Sequence, residues 1–225
     1  MATLATKKQT QAQKHRIFLV EDHPIYRDGL ANLLNGEADL SVCGEAGDAR
    51  GGLKSILKLK PELVVVDLGL PGRSGLDLIK ELRALKVTTK ILVVSMFDEA
   101  LYAQRVLRAG GDGYIMKQED PEEIVNAIRD VLAGQIYVSE EIFARSGGTE
   151  PAAKKAGPLD HLTDSELEVM EGLGNGKSAS EIALQTGLST AEVSTHGKSI
   201  RRKLKLKNAN ALIRYAVCWV EDSQK

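Results

Sequence analysis

The sequence predicts two domains of different class: a doubly wound α/β domain on a five-stranded parallel sheet, followed by an all-α domain of four helices. Short apolar runs alternate with amphipathic helical patterns through the first half. A stretch rich in Gly, Pro and small residues follows, and beyond it every pattern is helical. With 225 residues and 43% hydrophobic content, the chain can fill a core in each part.

The apolar runs are RIFLV at 16–20, LSVCGEA at 40–46, LVVV at 63–66, ILVV at 91–94 and GYIM at 113–116. Between them, stripes such as Leu76, Ile79, Leu82, Leu85 and Ile124, Ile128, Leu132 have helical spacing. Strands that alternate with helices pair in parallel, covered on both faces. Asp120, Pro121 and Glu123 read as a helix start with its own cap. This domain is expected over residues 16–135, with a linker over 144–158, where the text reads RSGGTEPAAKKAGP.

The second domain is expected over residues 159–222. Thr163 with Glu166, Ser178 with Glu181 and Ser189 with Glu192 each fit a capping box, placing helix starts near 164, 179 and 190. A fourth helix carries Leu212, Tyr215, Ala216 and Trp219 on one stripe. The expected core is Leu162, Val169, Leu173, Ile182, Ala183, Val193, Ile200 and Leu204.

The N-terminus, MATLATKKQTQAQKH, lacks the apolar stretch of a signal peptide, and no segment is long and apolar enough to span a bilayer. Cys43 and Cys218 lie in apolar runs and read as small buried hydrophobes, which suits a reducing, cytoplasmic setting. The net charge of -1 hides an uneven distribution. Lys and Arg number 15 against 21 Asp and Glu over 16–143, and 9 against 9 over 159–225, with six basic residues from Lys198 to Lys207.

Functional groups of a parallel sheet collect beyond the carboxyl ends of its strands. Glu21, Asp22, Asp67, Ser95 and Lys117 all fall there. Three carboxylates together call for a hard, oxygen-preferring cation such as Mg2+, which also accepts a phosphoryl oxygen. Lys117 and Ser95 would serve the other phosphoryl oxygens, and Pro71, Gly72 and Gly75 form a tight loop that keeps the Asp67 carboxylate accessible.

The segments IFLVEDHPIYRDGL, LVVVDLGLPGRSGLDLI, ILVVSMFD and GGDGYIMK resemble the CheY-like receiver domain of bacterial response regulators. The resemblance implies Asp67 as phosphoacceptor, a Mg2+ site of Glu21, Asp22, Asp67 and the Gly69 backbone carbonyl, Ser95 as switch hydroxyl, Tyr114 as switch aromatic, and Lys117 as the pairing lysine. Glu21 stands where aspartate is commoner. A sensor histidine kinase would supply the phosphoryl group, so the chain modifies itself and is not an enzyme. An aspartyl-phosphate hydrolase of the haloacid dehalogenase type would need a second aspartate where Gly69 stands.

A helix, a tight connection at Gly187 and Leu188, and a second helix from Ser189 have helix-turn-helix spacing. In the second helix, STAEVSTHGKSIRRKLKL, Thr190, Ser194 and Thr195 could reach base edges of double-stranded DNA, while Lys198, Arg201, Arg202, Lys205 and Lys207 would meet phosphates. His196 is expected to pack or cap within the helices. LTDSELEVMEGLGNGKSASEIA with His196, Ile200, Lys203 and Leu204 resembles the LuxR-type helix-turn-helix of the NarL/FixJ group. Glu192-Val193-Ser194 replaces the group's usual threonine-valine-lysine, Ser165 stands for arginine, and the helix entry looks more like the BvgA-like and RcsB-like subgroup. The resemblance implies a phosphorylation-controlled transcription regulator that binds promoter half-sites as a homodimer. The altered entry and the neutral second domain also fit a protein-docking module, which would bind with little dependence on salt.

Overall fold

The computed structural model describes residues 14–139, 142, 159 and 161–223; the expected N-terminal arm and linker lie largely outside them. The five apolar runs form strands β1 (His15–Val20), β2 (Leu40–Ala46), β3 (Leu63–Val66), β4 (Lys90–Ser95) and β5 (Gly113–Met116). All pairs are parallel, in the order β2-β1-β3-β4-β5. Between and after the strands run α1 (Pro24–Gly36), α2 (Ala49–Leu59), α3 (Gly75–Ala84), α4 (Glu99–Ala109) and α5 (Pro121–Leu132).

Side chains alternate across each strand, so the central runs must be apolar at every position. Phe18, Val20, Val64, Val66 and Val93 pack on one face with Ile56, Leu78, Ile79, Leu82 and Val106. Ile17, Leu19, Leu63, Val65, Leu92 and Val94 pack on the other with Leu34, Ile124 and Ile128. Leu85 departs from its expected stripe: it caps the C-terminus of α3 and is exposed. The Asp120 side chain makes no capping bond either. The Glu123 amide, which such a bond would use, donates instead to the Asp120 carbonyl at 2.9 Å.

The capping boxes form as expected, opening α6 (Asp164–Gly174), α7 (Ala179–Thr186) and α8 (Thr190–Lys203). The last helix, α9, runs Ala209–Ser223. Leu162, Val169, Ile182, Val193 and Ile200 are buried, while Leu173, Ala183 and Leu204 are partly so. Cys43 is half-buried and Cys218 exposed, so neither is the buried hydrophobe expected from its apolar run.

The apolar core on the α3–α4 side continues into the helical domain. Polar contacts tie the same junction. Asp164 accepts from Lys80 at 2.6 Å and from Arg105 at 2.7 Å, and Arg105 also donates to the carbonyls of Leu159 and Leu162. Tyr102 Oη donates to Glu171 at 3.1 Å. Gly72 N donates to Gln185 O at 3.2 Å. Gly187 sits at φ +73° directly against Gly72, and a Cβ there would stand 1.7 Å from the Gly72 carbonyl oxygen.

Candidate functional site

The ladder of the sheet brings the polar residues together. Asp67 N donates to Val20 O at 2.9 Å and Lys117 N to Ser95 O at 2.9 Å, so the loops after β1, β3, β4 and β5 converge at one edge. Gly75 allows α3 to start directly beneath Asp67. A Cβ at Gly75 would lie 2.0 Å from the Asp67 carbonyl oxygen.

At the centre, the Asp67 carboxylate accepts from Ser95 Oγ and Lys117 Nζ, each at 2.8 Å, and from Gly69 N at 3.3 Å. Lys117 also pairs with Glu21 at 2.6 Å. The expectation of an accessible Asp67 needs correction: the residue is only 4% exposed, since these partners close over it. Burial disfavours the Lys117 ammonium, but Asp67 and Glu21 outweigh that cost and raise its pKa.

Glu21, Asp22, His23 and Asp67 each offer a ligand atom within 4.8 Å of one another, so the cluster could hold a metal ion. Three carboxylates face one ammonium, a deficit of positive charge suited to a divalent cation. Asp22 Oδ1 is buried without a hydrogen bond, although His23 Nδ1 lies 3.0 Å away. The oxygen-rich donor set fits Mg2+. Gly69 is placed beside Asp67 by its amide, and His23 joins a cluster in which sequence reasoning had counted only carboxylates and a carbonyl; the EDHP text held the signal.

Tyr114 is fully buried and its hydroxyl donates to Phe97 O at 2.7 Å. Phe97 in turn packs on Tyr102, ring centroids 5.0 Å apart. Tyr102 is the residue bonded to Glu171 of the helical domain. A contact chain therefore leads from the loop after Ser95 to α6. Sequence reasoning missed Tyr102, Arg105, Asp164 and Glu171, whose pairing depends on how two domains meet and leaves no local pattern.

In α8, Thr190, Ser194, Thr195, Lys198 and Arg202 are exposed and Arg201 is half-buried. Thr195 Oγ1 donates back to Ala191 O at 2.9 Å. The helix ends at Lys203, so Lys205 and Lys207 lie past it; Lys205 takes φ 55° in the following turn. Glu192 is engaged in its capping box. Lys203 is exposed but donates to His161 O at 3.0 Å and to the buried Glu166 at 2.6 Å. His196 is half-buried within α8. Among the described residues, no helix is long and apolar enough to cross a membrane.

Comparison with known proteins matches residues 17–129 to the response regulator receiver domain and residues 160–216 to the bacterial regulatory proteins of the luxR family. The oxygen regulatory protein NreC of Staphylococcus epidermidis is 30% identical over 210 residues, covering 90% of this chain and 96% of that protein. A LuxR-family two-component response regulator from an Aurantimonas species is 34% identical, with 60% of this chain and 97% of that one covered and a TM-score of 0.57. RcsB from Salmonella enterica serovar Typhimurium, bound to promoter rprA in the presence of phosphomimetic BeF3-, is 26% identical, with coverages of 91% and 99% and a TM-score of 0.66.

Proposed function

This chain belongs to the bacterial two-component response regulators with a receiver domain and a LuxR-type helix-turn-helix, and we propose that its switch is phosphorylation of Asp67. One observation carries the reading: a buried carboxylate held jointly by a serine hydroxyl and a lysine ammonium, inside a cluster able to bind a cation. The donor is a phosphohistidine on a sensor kinase. An Asp67 carboxylate oxygen attacks phosphorus in line, the N–P bond breaks as the O–P bond forms, and the departing imidazole takes a proton from solvent. Lys117 and Ser95 exchange their bonds to Asp67 for bonds to phosphoryl oxygens. Mg2+, held by Glu21, Asp22, Asp67 and the Gly69 carbonyl, would supply the charge that neutralises the incoming phosphoryl group.

Moving Ser95 toward the phosphoryl group shifts the loop that carries Phe97, and with it Tyr114, Tyr102 and the bond to Glu171. Support for release of the second domain comes from Gly72 against Gly187, two residues before the capping serine of α8. The freed domain binds paired half-sites of promoter DNA as a homodimer. Thr190, Ser194 and Thr195 approach base edges, while Lys198, Arg201, Arg202 and Lys205 contact phosphates. RcsB, the relative seen on promoter DNA with a phosphomimetic, motivates this picture.

Incubation with a small phosphoryl donor and Mg2+ should label Asp67 and tighten binding to the chain's promoter fragments. An Asp67→Asn variant labelled as well as the native protein would overturn the acceptor assignment.

A further inference from the structure

Tyr26 lies in the first turn of α1, four residues after Asp22. Its ring faces the Lys117 ammonium, with Nζ 4.6 Å from the ring centroid. The same ammonium bridges Glu21 and Asp67. An aromatic face attracts a cation through its quadrupole, most strongly where water is excluded. The Lys117 side chain is only 5% exposed. Without the ring, a long flexible lysine would have one side unsupported at the point where its charge must meet the acceptor.

The hydroxyl is the second observation. Tyr26 Oη is buried and has no hydrogen-bond partner among the described residues. Buried tyrosine hydroxyls ordinarily find one, because an unmade bond is costly. Phenylalanine would serve the ring contact equally well, so the oxygen calls for its own explanation. The Tyr26 side chain packs against the apolar core beside α1, while its phenol also feels the charges of Glu21 and Asp67. A water polarised by a divalent cation is a strong hydrogen-bond donor, and the phenolic oxygen is an acceptor with free lone pairs.

We propose that Tyr26 is a positioning residue of the phosphoryl-acceptor site: its ring holds the Lys117 ammonium against Glu21 and Asp67, and its hydroxyl oxygen accepts a hydrogen bond from a water of the bound divalent cation. The inference rests on the assignment of Asp67 as acceptor. Nothing in the switch described above uses Tyr26.

Two variants of the full-length protein separate the two parts. Tyr26→Phe keeps the ring and loses the oxygen; Tyr26→Leu loses both. Labelling by a small phosphoryl donor with saturating Mg2+ should slow about tenfold in Tyr26→Leu and recover to within about threefold of native in Tyr26→Phe. Affinity for Mn2+, read as free ion by electron paramagnetic resonance without any phosphoryl donor, should fall about threefold or more in Tyr26→Phe. A Tyr26→Leu protein that labels at the native rate, or a Tyr26→Phe protein that binds Mn2+ as tightly as native, overturns the proposal. Should Tyr26→Leu fail to fold by circular dichroism, the Mn2+ affinity of Tyr26→Phe decides. Failure of the native protein to label at all would refute the Asp67 assignment, whereas native labelling beside indifferent Tyr26 variants refutes the role of Tyr26 alone.

Discussion

Raising the pH from 6 to 9 should loosen the junction between the two domains, and Glu171 is the main reason. Burial pushes its carboxyl up to about 8 and that of neighbouring Glu168 up to about 7. Both line a cavity of about 60 Å³ shared with Leu68, Phe97 and Gly172. The groups facing them are Asp77 and Lys80 of α3, Asp98 and Tyr102 at the start of α4, Asp164 of α6, and Lys177. A carboxyl with a raised pKa binds its proton more tightly in the closed junction than in the open one. Its contribution to closure is therefore complete below the ordinary carboxylate range and disappears as pH climbs through about 7 and then about 8.

For Glu171 only the span from pH 6 to about 8 falls inside this window; it would be worth about 3 kcal/mol if fully expressed, and solvent entering the junction screens it to about 1 kcal/mol, roughly fivefold in the closed-to-open ratio. Small-angle scattering reads that ratio as an increase in radius of gyration between pH 6 and pH 9. Glu171→Gln keeps an uncharged acceptor for the Tyr102 hydroxyl, so it should stay closed across most of the range. A flat native profile, or a Glu171→Gln profile superimposable on the native one, would refute the reasoning.

Gly187→Ala should separate the domains, because its methyl would run into the Gly72 carbonyl and L residues resist φ +73°; the readout is stronger DNA binding by unphosphorylated protein, accompanied by a stability loss of about 1 kcal/mol in the helical domain. Glu166 is drawn down to about 2, because bonds from Lys203, Ser199 and the Thr163 amide outweigh its burial. Its stabilising effect is thus present above the usual glutamate range and lost as pH falls toward 2. Lys203→Met should remove much of that acid sensitivity and lower stability by about 2 kcal/mol, read by urea denaturation at pH 7 and pH 3. Replacing Lys198 or Arg202 with Ala should reduce the slope of log affinity against log salt by about 1 each, measured by fluorescence anisotropy with promoter DNA.

Strands and capped helices were legible because their causes are local. Alternation at period two determines which face of LVVV or ILVV meets which helices, and a hydroxyl followed three residues later by a carboxylate determines a helix start at Thr163, Ser178 or Ser189. The convergence of Glu21, Asp22, Asp67, Ser95 and Lys117 was legible for a topological reason: in a parallel sheet, every strand delivers its last residue to the same edge. Tertiary structure alone decided the rest. Whether Asp67 is open or clamped depends on side chains arriving from two other strands, and the placement of the Tyr26 ring over Lys117 depends on how α1 packs on the sheet. The junction of Arg105 and Lys80 with Asp164, and of Tyr102 with Glu171, joins residues 59 to 84 positions apart. No periodicity or capping rule reaches that far, since such contacts arise from surface complementarity between two finished domains.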